Sequence, residues 1–266
     1  MKRTTLFWIL AFVLTAVAAF YQRMTGPSYP VTGAVPFGTE QIAYRFDRSH
    51  GGPSDAVVTL ALPGPEYRAV LQWKRFKTND AWTETPMMGE GNRVTASLPH
   101  QPPAGKLVYQ VQVEHAGTRV PVPPEPVVIR FKGETPIWIV VPHVLAMFAA
   151  MLVSMRTGLE VFMPQPSFRR LLTWTLALLG VGGFILGPLM QLYAFDVLWT
   201  GWPVGTDLTD NKTAIAFLGW VTAAIAQRKS AHPARWILGA AVVMAVVYLI
   251  PHSLLGSELD YSTLPK

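Results

Sequence analysis

The sequence contains no cysteine, and this absence excludes several kinds of chemistry. Without cysteine there is no disulfide framework, no thiolate zinc site and no cysteine nucleophile. Charged residues are also scarce, at 14% of the chain, and none lies within the long apolar runs described below. Ionisable residues inside membrane segments mark ion and proton paths, so their absence from these runs argues against a proton pump or an ion-coupled transporter.

Hydrophobic residues, by contrast, make up 50% of the chain, and tryptophan occurs 9 times. This composition is typical of a membrane protein that also has an extramembrane part. The formal net charge is +6, but the basic residues form no nucleic-acid-binding motif and no single basic face. We therefore expect no nucleic-acid partner.

Apolar runs predict five membrane spans: Leu6–Phe20, Pro136–Met155, Leu171–Phe195, Thr213–Gln227 and Trp236–Leu255. A span needs roughly 17–25 mostly apolar residues, and the second, third and fifth runs meet this length. The fourth is short, so either Asn211 and Lys212 snorkel to the interface or that end of the helix is locally buried. The first run contains Ala16-Val-Ala18, a pattern that signal peptidase cleaves, but we expect the segment to be retained as a signal anchor.

The basic residues predict the orientation of the spans. They precede the first span and occupy alternate loops: Lys2, Arg3, Arg156, Arg169, Arg170, Arg228, Lys229 and Arg235. The other loops are mainly acidic. Because positive loops stay in the cytoplasm, we expect the N-terminus inside and the C-terminus outside. The sequence thus predicts a multi-pass protein of the bacterial inner (cytoplasmic) membrane, with its large domain and C-terminus on the periplasmic side.

The region between the first two spans has the pattern of a β domain. Its apolar residues alternate over six short runs: Gln41–Phe46, Val57–Leu62, Val70–Phe76, Arg93–Leu98, Leu107–Val113 and Val127–Phe131. Such runs, separated by turn residues, predict an antiparallel β-sandwich. The predicted division is a signal anchor (1–22), an exported all-β sandwich (23–134) and a four-helix transmembrane domain with an exported tail (135–266).

One stretch of this region, "SLPHQPPAGKLVYQVQV" from Ser97 to Val113, resembles the Leu-Pro turn and Tyr-x-Val strand of immunoglobulin-like and fibronectin type III-like domains. The resemblance covers about residues 37–132 and lacks the paired cysteines of antibody domains. It implies an immunoglobulin-like sandwich that docks onto another protein, and this function rests on analogy of fold.

Candidate ligands for a metal or pigment recur along the second span. His143, Met147, Met151 and Met155 are four residues apart, so they form one stripe on a helix. Methionine commonly fills irregular helix contacts, which makes the stripe a packing surface. The alternatives are a path for copper(I), which thioether ligands suit, and a contact with haem or chlorin.

Further polar residues gather on the predicted outer side. Asp207, Thr209, Asp210 and Asn211 precede the fourth span, where Thr209 or Asp210 can cap the helix and the carboxylates can bind a cation. His252 lies at the outer end of the fifth span. The alternative site therefore combines His143 and His252 as pigment ligands, or His143, Met147, Met151, His252, Asp207 and Asp210 as metal ligands.

Glycines in the third span suggest close helix packing. Gly183 and Gly187 have the small-xxx-small spacing that lets two helix backbones approach each other, and Pro188 is expected to kink the helix. We expect both features to serve packing.

No catalytic constellation is visible, so we expect a protein that is not an enzyme and carries no cofactor. The favoured function is an accessory or scaffold subunit of a larger inner-membrane complex, with a photosynthetic or respiratory assembly as the natural host. Its expected partners are other integral membrane subunits at the helices, an exported protein at the sandwich, and the lipid bilayer. The alternative is a membrane protein that handles copper or binds haem or another tetrapyrrole near the exported face.

Overall fold

A computed structural model of the chain describes residues 3–251 and 256–263. The chain divides into two compact units. A helical unit comprises residues 1–27 and 135–257, and a β unit comprises residues 28–134 and 258–266. The division departs from the predicted one at its last segment, because residues 258–266 belong to the β unit.

The helical unit contains six α-helices within its described residues: α1 (Arg3–Thr25), α2 (Ile137–Glu160), α3 (Arg169–Leu179), α4 (Gly187–Phe195), α5 (Leu208–Lys229) and α6 (Pro233–Leu249). A π-helical segment, Gly180–Leu186, joins α3 and α4 into one continuous helix. Pro188 lies in the first turn of α4, directly after the π-helical segment; proline has no N–H to donate, and such gaps in the hydrogen bonding of a continuous helix accompany local departures from α geometry.

Three of these helices are long and apolar enough to cross a membrane: α1, α2 and the continuous helix from Arg169 to Phe195. This property indicates a membrane protein. The fifth apolar run forms a helix of only 17 residues, because α6 ends at Leu249 and Ile250 is already extended. Pro251 explains the early end, since a residue that precedes proline is disfavoured in the helical region.

The helix α2 ends at Glu160, beyond the predicted end of the second span at Met155. This added part of the helix contains two charged residues that are buried in the helical unit. Arg156 and Glu160 are both nearly fully buried, and Arg156 Nη1 lies 2.6 Å from Glu160 Oε2. The two groups are not aligned as a hydrogen bond, so their contact is an ion pair. The Arg156 guanidinium also lies 5.6 Å from the centre of the Trp8 ring, a cation–π contact with α1.

The helical unit has its own apolar core. It is built from small residues of α1, such as Ala11 and Ala18, together with Met151, Trp220 and Met244 from α2, α5 and α6. The small residues let α1 approach the other helices closely, since short side chains bring helix backbones together. All the helices except α4 contribute buried residues to this core.

The β unit contains ten strands within its described residues: β1 (Val31–Phe37), β2 (Glu40–Phe46), β3 (Ser49–Gly51), β4 (Ala56–Ala61), β5 (Arg68–Arg75), β6 (Thr83–Pro86), β7 (Met88–Glu90), β8 (Arg93–Leu98), β9 (Lys106–His115) and β10 (Thr118–Lys132). They form a five-stranded sheet in the order β3-β10-β9-β5-β6, a three-stranded sheet β4-β8-β7 and the pair β1-β2. Every pair is antiparallel except β3 with β10.

All six predicted strands are present, and their alternation matches the burial. Leu107, Tyr109, Val111 and Val113 of β9 are buried, as are Ile42 and Phe46 of β2. Residues two apart along a strand point to the same face, so these side chains meet in one core that the three sheets share. The Tyr109 hydroxyl donates to the Asp47 carbonyl at 2.8 Å.

Four strands were not predicted, and they have weak sequence signals. β1 contains Gly33 and Pro36, residues that are rare in strands. The strands β3 and β7 have three residues each and β6 has four, which is too short for an alternating pattern to show. The pairing of β10 with β9 is irregular between Val122 and Val127, where three prolines interrupt the hydrogen bonding.

The segment after residue 257 packs against the β unit. Leu259 N–H donates to the Ala104 carbonyl at 3.1 Å. Glu258 bridges two lysines, with Oε2 at 2.7 Å from Lys106 Nζ and Oε1 at 2.9 Å from Lys77 Nζ. The Arg75 guanidinium lies 5.3 Å from the centre of the Tyr261 ring. We call residues 258–263 the tail segment.

Candidate functional site

A cavity of about 250 Å³ lies among the helices of the helical unit. Helices α1 to α6 all contribute to its wall, which is mostly apolar: Val144, Met147, Phe148, Leu179, Met190 and Val247. A few polar side chains interrupt this wall, namely Gln22, His143, Lys212, Thr213 and Tyr248. An apolar cavity with a small number of convergent polar groups is the usual form of a small-molecule site.

Most of these polar groups are held in place by backbone carbonyls. Gln22 Nε2 donates to the Tyr248 carbonyl at 3.1 Å, and the Tyr248 hydroxyl donates to the Met147 carbonyl at 2.7 Å. Thr213 Oγ1 donates to the Thr209 carbonyl at 2.8 Å, one turn earlier in α5. These bonds fix α1, α2 and α6 around the cavity and stabilise its shape.

His143 is oriented by the π-helical segment. Its Nδ1 lies 2.9 Å from the carbonyl oxygen of Gly182, and this contact requires Nδ1 to carry the hydrogen, because a carbonyl only accepts. The same carbonyl accepts the Gly187 N–H across the π turn. In this tautomer Nε2 carries the free lone pair. Nε2 can therefore accept a hydrogen bond or bind a metal.

Among the residues that the structure describes, Lys212 is the one cationic side chain in the wall of the cavity. It is only 4% exposed, and its Nζ donates to the Ile250 carbonyl at 2.7 Å, just beyond the end of α6. The sequence allowed this end of the fourth run either to snorkel to the interface or to be locally buried. The structure shows a locally buried end. Asn211 does not reach outward either, because its Oδ1 accepts from the Trp202 N–H at 2.7 Å.

The methionine stripe divides between core and cavity. Met151 and Met155 are buried in the apolar core of the helical unit, whereas Met147 lines the cavity beside His143. A Cβ built on Gly182 would lie 2.8 Å from Met147 Sδ. Met147 therefore fills the space that the missing side chain of Gly182 leaves, as methionine often does at irregular contacts.

The acidic cluster before α5 holds a loop in place. Asp207, rather than Thr209 or Asp210, is the N-cap, since its Oδ1 accepts from the Thr209 N–H at 2.7 Å. Asp210 Oδ2 accepts from the N–H groups of Thr200 at 2.8 Å and Gly201 at 3.0 Å. Gln191 Nε2 donates to the other oxygen of Asp210.

Both carboxylates of this cluster are thus engaged in hydrogen bonds within the helical unit. The second oxygen of Asp207 accepts from the Ser257 N–H at 2.9 Å. The oxygens that the sequence offered to a cation therefore bind N–H groups and stabilise the loop after α4. Residues 3–251 and 256–263 contain no group of three His, Asp or Glu side chains placed to hold a metal ion.

The predicted ligands therefore separate. His143 and Met147 line the cavity, Met151 lies in the core, and Asp207 and Asp210 lie in the loop cluster. His252 lies outside the described residues.

The cavity also uses residues that sequence reasoning did not select. Gln22 follows the first apolar run and Tyr248 lies inside the fifth, where each resembles an ordinary interfacial residue. Their common signal is a hydrogen-bonding side chain near the predicted outer end of a span. That signal alone does not tell which helices face one another.

The comparisons with known proteins give no family for this chain: no protein-family model matches it, and no curated protein matches its sequence.

Proposed function

We propose that this chain is a non-enzymatic accessory subunit of a larger complex in the bacterial inner membrane. In this proposal the helices lie in the bilayer, all five spans cross it, and an immunoglobulin-like β domain docks onto a periplasmic partner. An energy-transducing assembly, photosynthetic or respiratory, is the proposed host. The observation that carries the docking function is a patch of exposed apolar and hydroxyl side chains on an outer face of the β unit.

This face belongs to the three-stranded sheet. Its outward side chains include Val57, Thr59, Thr95, Ser97 and Met88, which we call the neutral face; Arg93 lies on the same side at the edge of this face, paired with Ala61. Thr95 pairs with both Thr59 and Met88, and Val57 pairs with Ser97. Val57 is 63% exposed and Met88 is 73% exposed. Exposed apolar side chains without charges are typical of the centre of a protein–protein contact.

The outer face of the five-stranded sheet provides the contrast. There, Gln112 Nε2 donates to Gln72 Oε1 at 3.0 Å and Gln72 Nε2 donates to Glu84 Oε1 at 2.7 Å. Arg119 bridges Glu84 and Glu114. Polar and charged side chains that hydrogen-bond one another in this way form an ordinary solvent-exposed surface. We therefore assign docking to the neutral face.

The proposed sidedness rests on loop charge and on chain continuity. The basic loops predict a cytoplasmic N-terminus. The tail segment follows α6 and belongs to the β unit, which favours placing the C-terminus and the β domain on the same side of the membrane. Single cysteines at Ser167 and Ser257 should then react with a membrane-impermeant thiol reagent from opposite sides; reaction from one side only contradicts the topology.

The docking proposal predicts that Val57→Lys separates the subunit from its complex. A lysine on the neutral face would lose its hydration on docking, so we expect recovery of partners after mild-detergent purification from the native membrane to fall ~10-fold, equivalent to about 1.4 kcal/mol. Val70→Lys is the matched control, because Val70 occupies the outer face of the other sheet, opposite Gln112.

Two outcomes would contradict the docking proposal. One is a wild-type protein that purifies from its native membrane as a single chain. The other is a loss of partners that is equal in Val57→Lys and Val70→Lys.

A second candidate, copper or tetrapyrrole binding, is favoured by the orientation of His143. Its Nδ1 contact with Gly182 leaves a basic Nε2, as in metal-ligating histidines. Lys212 lines the same cavity, and its charge opposes a metal cation there. Visible absorption and metal analysis of wild type and His143→Gln test this candidate: it requires a stoichiometric metal or pigment that the variant loses.

A further inference from the structure

The cavity of the helical unit combines an apolar wall with a buried lysine on which the charge of Asp207 acts only from beyond ion-pair distance. Lys212 is 4% exposed, and within the described residues it is in no ion pair. Among the described residues its hydrogen-bond acceptor is the neutral Ile250 carbonyl. Burying an ammonium group is costly unless it is paired, so this arrangement favours an anionic partner.

We propose that this cavity binds an acyl-chain lipid through an anionic oxygen headgroup that pairs with Lys212. The ammonium has three hydrogens and donates one to Ile250, which leaves two for the oxygens of a carboxylate or phosphate. His143 and Tyr248 lie in the same wall, but each donates its hydrogen to a backbone carbonyl, so Lys212 is the donor to the headgroup.

The remainder of the wall suits the first part of an acyl chain. Val144, Phe148, Leu179, Met190 and Val247 present hydrocarbon and thioether surface. The volume of about 250 Å³ exceeds the ~150 Å³ of an apolar cavity that takes a benzene ring. The headgroup and the first methylene groups fit this space, and the rest of a long chain extends among the surrounding lipids.

The charge of the cavity also selects among possible occupants. An ammonium in a low-dielectric site repels cations strongly, because the interaction between charges grows as the dielectric constant falls. It attracts anions for the same reason. An anionic amphiphile satisfies both the ammonium and the apolar wall, whereas a metal ion satisfies neither.

The test uses the full-length protein in uncharged detergent and a polyene fatty acid whose fluorescence rises on transfer from water to an apolar site. Unlabelled oleic acid should displace this probe, and methyl oleate, which has the same chain without the charge, should need at least ~10-fold higher concentration. Dioleoyl phosphatidic acid is the third competitor, and its rank against oleic acid tells a phospholipid from a free fatty acid as the natural source.

Two substitutions locate the binding. Lys212→Met keeps the length of the side chain and removes its charge, and it should weaken binding at least ~10-fold. Ala216→Phe fills the cavity, since Ala216 lines it and is almost fully buried, and it should abolish binding. Lys229→Met is the matched control, in the last turn of the same helix and outside the cavity wall.

The proposal is overturned if wild type does not bind the probe, or if acid and methyl ester compete equally. It is also overturned if Lys212→Met binds like Lys229→Met. The comparison of acid with ester needs only wild type, so it decides the question even if the Lys212 variant does not fold. None of these outcomes depends on the docking of the β unit.

Discussion

At the scale of single residues, the polar side chains of the helical unit serve mainly to bind backbone groups. Asp210, Asn211, Gln22 and Lys212 all make hydrogen bonds with main-chain N–H or carbonyl groups. Such groups need partners wherever a loop or a helix end is kept from water. In the sequence, Asp210 and Asn211 belong to a polar cluster, and Gln22 and Lys212 lie beside the ends of apolar runs. It did not show which backbone group each one binds, because that depends on the folds of distant loops.

Asp210 gives the first prediction at this scale. Asp210→Ala leaves the N–H groups of Thr200 and Gly201 without their acceptor, and each unsatisfied buried group costs about 1–3 kcal/mol. We expect thermal unfolding in detergent to show a loss of roughly 2–4 kcal/mol. Asp210→Asn, which keeps one acceptor oxygen, should lose less. Equal stability of the alanine variant and wild type would show that Asp210 does not hold the loop.

At the scale of helices and strands, close approach depends on particular glycines. The predicted pair was Gly183 and Gly187, but only Gly183 contacts a neighbouring helix closely: a Cβ there would lie 2.6 Å from Thr213 Cγ2 of α5, whereas at Gly187 the nearest atom belongs to the same helix. A tighter contact lies at Gly158 of α2, which sequence reasoning missed. The residue that packs against a glycine is distant from it in sequence, so a local sequence pattern does not identify the contact.

Gly158 gives a prediction at the scale of helix packing. A Cβ at this position would lie 2.5 Å from Ala241 Cβ of α6, and such overpacking costs about 1–3 kcal/mol. Gly158→Ala should therefore lower the unfolding temperature, and adding Ala241→Gly should restore part of the loss.

Gly239→Ala is the control for this experiment. Gly239 lies in α6 with open space around its Cβ position, so alanine there should stabilise the helix by roughly 0.5–1 kcal/mol. Opposite signs for the two Gly→Ala substitutions would support the packing contact. Equal signs would show that helix propensity alone governs both positions.

At the scale of the whole molecule, the sequence predicted the class of each part better than its boundaries. Strand alternation and long apolar runs are local patterns, so six of the strands and the three long apolar helices were found, whereas β1, which contains glycine and proline, was missed. The end of α6 was misjudged because Pro251 interrupts a run that remains apolar. The grouping of the tail segment with the β unit was missed because it rests on contacts between Glu258 and lysines that are far away in sequence.

Glu258 gives the prediction at this scale. Burial tends to raise the pKa of its carboxyl, but hydrogen bonds and charge from Lys106 and Lys77 hold this pKa below its ordinary value of 4.5. A carboxyl whose folded-state pKa is depressed stabilises the folded form above its ordinary pKa, and this contribution is lost as pH falls through the folded-state pKa. Attachment of the tail segment should therefore be complete at neutral pH and weaken as the pH falls through the lowered pKa of Glu258.

Hydrogen exchange at the Leu259 amide, which donates to Ala104, measures this attachment. At pH 7, Glu258→Gln should lower the protection factor by ~5-fold, as expected for ion pairs worth up to about 1 kcal/mol. Glu84→Gln, which removes an ion pair with Arg119, should leave the protection of Leu259 unchanged. A protection factor that is the same in both variants would show that the lysines do not hold the tail segment.

The π-helical segment Gly180–Leu186 lets its helix lose a residue with little change of phase. A π turn accommodates more residues than an α turn, so deleting one residue there would return the segment to regular geometry and leave Met190 and Gln191 near their present positions around the axis. The same deletion in the regular turns of α3 would rotate every later residue by about 100°. Met190 would then turn out of the cavity wall and Gln191 would leave Asp210, although neither side chain had been altered. What a deletion in the π-helical segment would remove is the π turn itself, whose Gly182 carbonyl contacts His143.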